Sequence, residues 1–189
     1  NKPYDSIGKL KVYFHDAGFD DVQVHSYGLM PFFMARFRNP RIVEKLKDII
    51  KPGDIVGGHS NGGALAYLLA KQGVRFGGVV LINPALDKDR RFPEEVPWVH
   101  VYFNEGDDVV TLARIPLFYS WGDMGKVGYR GARNGQVRNI NCGRHFPKVD
   151  GHSDIFSRGK IELWGPRITS NARRAWEKHA KIAALPPPP

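Results

Sequence analysis

Two kinds of segment alternate along this chain: stretches whose apolar residues recur at helical spacing, and short stretches that are apolar throughout. In residues 6–17, Ile7, Leu10, Phe14 and Ala17 mark one helical face, with Asp5 placed to cap the start and Gly18 to close the end. Residues 22–27 (VQVHSY) follow the turn-like GFDD, are rich in β-formers, and predict a strand. Asn39 and Pro40 make a helix start, after which Ile42, Val43, Leu46, Ile49 and Ile50 form an apolar face until KPGD breaks it.

Residues 54–59 (DIVGGH), 76–83 (FGGVVLIN) and 98–104 (WVHVYFN) are continuous apolar runs of the kind that strands buried on both faces display. A helical segment, residues 63–71, follows the first run. Residues 136–142 (QVRNINC) alternate as a further strand, and residues 171–185 predict a closing helix. Strands alternating with helices imply an α/β domain with a mostly parallel central sheet flanked by helices. The predicted domain covers residues 1–185, and the final prolines, 186–189, predict a disordered tail because proline cannot continue a helix.

Two further segments are too apolar for free loops: residues 29–37 (LMPFFMARF), expected to lie over the core or a pocket, and residues 112–135, in which Ile115–Trp121 forms a run expected to cap the site. At 189 residues with 42% hydrophobic and 25% charged side chains, the chain can bury one core and lacks the signature of disorder. No stretch reaches the ~18 apolar residues of a membrane helix, so a soluble protein is expected. Cys142 is the only cysteine, which excludes an internal disulfide and favours a reducing, cytoplasmic setting. The formal charge of +9 implies weak attraction to anionic surfaces, but the basic residues are spread along the chain without interleaved aromatics, so no nucleic-acid partner is expected.

The chemistry concentrates at Gly58-His59-Ser60-Asn61-Gly62, a G-x-S-x-G pattern between a predicted strand and a predicted helix. In that context the serine occupies a sharp, crowded turn, and the flanking glycines remove Cβ atoms that would clash. The alternative is a tight turn with an idle serine. With an acid and a histidine following in order, the sequence resembles the α/β-hydrolase superfamily, over roughly residues 6–165 in motif order. The resemblance implies that fold, an acid after a later strand, and a histidine after the last.

After WVHVYFN comes EGDDVV, which looks like the family's acid turn. Asp107 is the candidate acid, with Asp108 and Asp87 as alternatives and Glu105 placed at the strand end. Of the seven histidines, His145 and His152 follow the last predicted strand. His152, in DGHSDIF, resembles the family's histidine loop, and His145 is the substitute. The implied roles are Ser60 as nucleophile, His152 as proton shuttle, Asp107 as its orienting carboxylate and the backbone N–H of Asn61 as oxyanion donor. No metal or cofactor is needed. A competing metal reading would draw on Cys142, His145, Asp150, His152 and Asp154, but no pair among them has a recognisable ligand spacing.

The sequence departs from the family where a second oxyanion donor is expected, in a loop after a strand preceding the first helix. A native N-terminal segment containing that strand is expected to be missing, leaving a gap beside residues 54–59. The alternative takes LKVYFHDAG as the strand and His15-Asp16-Ala17-Gly18 as the donor loop, but too few residues separate Gly18 from Val22 for a parallel crossover. The expected activity is hydrolysis of small or lipid-like carboxylic esters, as in a cutinase-sized esterase or lipase. A thioesterase, amidase or peptidase with the same triad, or a catalytically silent binding protein on the same fold, are the competing readings.

Overall fold

Four of the predicted strands become one parallel sheet. The computed structural model describes residues 6–26, 34–112, 122–132 and 135–183. Strands β1 (Ile55–His59), β2 (Gly78–Ile82), β3 (Val99–Phe103) and β4 (Val137–Asn141) lie in the order β1-β2-β3-β4, every pairing parallel. β2 and β3 are buried at every residue, which is why their sequences are apolar without alternation. Register runs from Ile55 opposite Gly78 to His59 opposite Ile82, and Phe103 lies opposite Asn141.

Helices cover both faces. On one, Val79, Leu81, Val99 and Val101 pack with Val43 of α2 (Ala35–Lys47) and with Leu65 and Leu69 of α3 (Asn61–Lys71). On the other, Val80, Ile82 and Tyr102 meet Leu10, Trp164, Ile168 and Ala172, contributed by a short 3-10 turn (Ile7–Leu10) and the long closing helix. The remaining helices are α1 (Lys11–Asp16), α4 (Asp108–Leu112), α5 (Met124–Val127) and α6 (Ile161–Ala183).

Several expectations need correction. Residues 22–26 form no strand, and residues 23–26 are exposed, so their β-forming side chains find no half-buried surface to pack on. Tyr27 lies outside the described residues. α2 begins at Ala35 and carries Pro40 inside it, because Asn39 is buried against α3 instead of capping a helix. α6 begins ten residues before the predicted start and runs through Pro166. The 3-10 turn and α1 cover the predicted first helix, which overturns the alternative that made LKVYFHDAG a strand.

Among the described residues β1 pairs with β2 alone and so forms an edge of the described sheet. Its other edge borders a cavity of about 540 Å³, walled by Phe14, Val24, Ile49, Ile50, Leu65 and Trp176. The strand expected on that side is not among the described residues. Of residues 29–37, Met34 and Phe37 are exposed and do not lie over the core, while residues 29–33 are outside the described part. Residues 113–121 of the expected cap and the tail at 186–189 also lie outside it. Surface charges pair locally, as in Arg90 with Asp87 and Arg91 with Glu94. No described helix is long and apolar enough to cross a membrane.

Candidate active site

Ser60 joins the end of β1 to the start of α3 with φ 55° and ψ −122°, a conformation that L side chains rarely adopt. Three backbone hydrogen bonds hold it there: its N–H donates to the Ile82 carbonyl at 3.1 Å, and its carbonyl accepts from the N–H groups of Gly63 and Ala85, each at 3.0 Å. A Cβ at Gly58 would lie 2.5 Å from the Gly62 carbonyl, so only glycine lets strand and helix approach this closely. The G-x-S spacing therefore follows from crowding at the turn.

Asn61 occupies the first position of α3, where amide N–H groups lie outside the intrahelical ladder. Its side chain is buried and exchanges hydrogen bonds with Asn39, at 2.9 and 3.0 Å. This amide pair fixes the head of α3 against α2.

The carboxyl ends of the other strands supply the remaining groups, as expected for a parallel sheet. Asp107, fully buried after β3, accepts a hydrogen bond from His152 Nδ1, at 2.9 Å to Oδ2 and 3.0 Å to Oδ1. Because a carboxylate accepts, the proton sits on Nδ1, and Nε2 keeps the lone pair that a serine hydroxyl could use. Asn83 holds the same carboxylate: its Nδ2 donates to Asp107 Oδ2 at 3.0 Å and to the Gly125 carbonyl at 3.2 Å. Asn83 has φ 43°, a left-handed conformation that asparagine tolerates. A Cβ at Gly125 would come within 2.9 Å of Asp107 Oδ2, so glycine there keeps room for the acid.

Two more contacts hold the histidine loop. Asn104 and Gly151 bond each other, and His59 donates from Nε2 to the His152 carbonyl at 3.0 Å. The His59 ring lies 4.8 Å from that of His152, centroid to centroid, and 4.9 Å from that of Phe156. Burial, with His152 adjacent, pushes His59 down to about 4.

Asp107 and His152 are thus brought together, and through His59 they are brought to the residue next to Ser60. The Ser60 hydroxyl itself has no hydrogen-bond partner among the described residues; such contacts are often loose until substrate binds. The alternatives are placed elsewhere. Asp108 pairs with Lys126 at 2.6 Å, Asp87 with Arg90 at 3.0 Å and Glu105 with Arg144 at 2.7 Å, while His145 is exposed. No three His, Cys, Asp or Glu side chains group as a metal site among the described residues. Cys142 is buried in the core, which pushes its thiol up to about 12.

The 540 Å³ cavity borders Gly58, His59 and Gly62 but neither Ser60 nor His152, so it lies beside the chemistry and not at it. Sequence reasoning missed Asn39, Asn83, Asn104 and the contacts of His59; the only local hint was that each polar residue adjoins an apolar run or a helix start.

The fold is an α/β one with a four-stranded parallel sheet, in which Asp107, after β3, and His152, after β4, are hydrogen-bonded and Ser60 follows β1. The chain matches no family model and no curated protein.

Proposed function

We propose that this chain is a serine hydrolase of the α/β-hydrolase type that cleaves carboxylic esters. The observation that carries the reading is the strained backbone of Ser60, held between strand and helix one residue from the His59–His152 contact. Strain of this kind costs about 1–3 kcal/mol and persists where the surroundings over-determine it, most often at functional sites.

Ser60 Oγ attacks the ester carbonyl carbon while His152 Nε2 removes its proton. Asp107 keeps the imidazole in the Nδ1–H tautomer and stabilises the cation that forms. The Asn61 N–H donates to the oxyanion. Collapse of the tetrahedral intermediate breaks the ester C–O bond, and His152 hands its proton to the departing alcohol. Water then repeats the sequence on the acyl-enzyme, releasing the acid and restoring Ser60.

The preference for esters rests on the apolar run at residues 115–121 of the sequence, which suits an acyl or aromatic group. Turnover of p-nitrophenyl esters of graded chain length, beside matched amide and thioester substrates, tests it. Ester turnover that Ser60→Ala abolishes is expected. Faster cleavage of the amide or thioester would move the assignment to the corresponding class.

A further inference from the structure

His59 is half-buried, sits immediately before the nucleophile, and plays no part in the proton transfers above. Its register is fixed, because it pairs with Ile82 in the β1–β2 ladder. Its ring is wedged between those of His152 and Phe156, and its Nε2 lies 3.0 Å from the His152 carbonyl oxygen. A carbonyl only accepts, so Nε2 carries the proton and donates.

The contacts around His152 divide by the strand they come from. Asp107 holds the imidazole and Asn104 holds the backbone of Gly151, and both belong to the end of β3. Ser60 belongs to β1, and β2 lies between the two strands. Fixing the base to β3 leaves its distance from the nucleophile set only by the general packing of the sheet. The His59 bond runs from β1 directly to the residue that carries the base.

We propose that His59 is a positioning residue that ties the His152 loop to the nucleophile strand through its Nε2–H, setting the imidazole against Ser60. This rests on the hydrolase reading for its kinetic consequence but not for its structural one. The bond requires a proton on Nε2, and because burial keeps the ring neutral well below neutral pH, the single ring proton is the one that donates. Displacing a reacting group by an ångström can reduce a rate by roughly a hundredfold, so a tie of this kind acts on kcat and leaves substrate binding largely alone.

The test compares His59→Phe, which keeps a ring against Phe156 but removes the donor, with His59→Gln, whose Nε2 can occupy the donor position. With p-nitrophenyl butyrate, His59→Phe should lower kcat by roughly 10–100-fold with KM changed less than about twofold, and His59→Gln should recover most of the loss. Retention of kcat in His59→Phe within about twofold, or equal losses in both variants, would overturn the proposal.

A second readout does not depend on turnover. In the wild-type protein, nitrogen-15 NMR of the imidazoles should find His59 neutral and protonated at Nε2 from about pH 5 to 8. An Nδ1–H tautomer, which leaves Nε2 without a proton to donate, would overturn it. The downfield Nδ1 proton of His152, bonded to Asp107, should survive in His59→Gln and broaden away in folded His59→Phe. If wild-type protein cleaves no ester while these signals behave as described, the hydrolase reading fails and the positioning role stands.

Discussion

Asn104 and Gly151 exchange two hydrogen bonds of 3.0 Å, Asn104 Nδ2 donating to the Gly151 carbonyl and the Gly151 N–H donating to Asn104 Oδ1. One fully buried amide at the end of β3 thereby satisfies both backbone groups of the residue before His152. Asn104→Ala leaves those groups without partners, at a cost of about 1–3 kcal/mol. Urea unfolding should report that loss, together with a fall in ester turnover larger than that of Asn171→Ala, a change remote from the loop. Unchanged stability would mean the loop is held by other means.

Strain at Ser60 predicts a gain in stability when its side chain is removed. Glycine relaxes at φ 55° and ψ −122°, which relieves part of about 1–3 kcal/mol, while its unfolded state is more flexible by about half a kcal/mol or more. Ser60→Gly should therefore be inactive and more stable than wild type by about 1 kcal/mol, read from thermal or urea unfolding. A less stable Ser60→Gly would contradict the strain.

Asp107→Asn keeps the shape of the acid but removes the charge that favours the correct tautomer and the imidazolium. Ester turnover should fall on the order of a thousandfold or more. Asp108→Asn, at an exposed carboxylate paired with Lys126, should stay near wild type. The reverse ranking would move the acid by one residue.

Two histidines set the acid limb of stability. Burial pushes His59 down to about 4, with His152 adding to it, and burial likewise holds His100 at about 4, helped by Arg138 and His179. Unfolded histidines take up protons near pH 6.5, so the unfolded chain binds more protons between about 6.5 and 4. The contribution of these two histidines to stability should be full above that window, fall as pH drops through it, and level off below about 4. Each histidine contributes a slope of at most about 1.4 kcal/mol per pH unit. His100 Nδ1 is buried with no hydrogen-bond partner among the described residues, so His100→Leu should preserve stability at neutral pH and flatten the acid limb. Urea unfolding across the window checks this; an unchanged slope would contradict it.

The sheet was legible because burial on both faces leaves no room for polar residues: β2 (GVVLI) is a buried strand in composition alone. The elbow was legible because crowding demands glycine at Gly58. Helix boundaries were less so, since Pro40 and Pro166 mark ends locally while tertiary packing carries α2 and α6 through them. The polar scaffold of the site was not legible. Asn39 meets Asn61 across 22 residues, Asn104 meets Gly151 across 47, and His59 meets His152 across 93. Single polar residues of this kind have no periodicity to betray them, and only the fold reveals which carbonyl or carboxylate each one serves.

The proposed activation of Ser60 by His152 and Asp107 is open to direct chemical test. A fluorophosphonate probe reacts covalently with an activated serine and only slowly with an ordinary hydroxyl, so its labelling rate and site, read by peptide mass spectrometry, report that activation without any guess about substrate. Rapid, stoichiometric labelling at Ser60 is expected, and His152→Ala and Asp107→Asn should both suppress it. Folded wild-type protein that stays unlabelled, or that carries the label at another residue, would contradict the proposed activation.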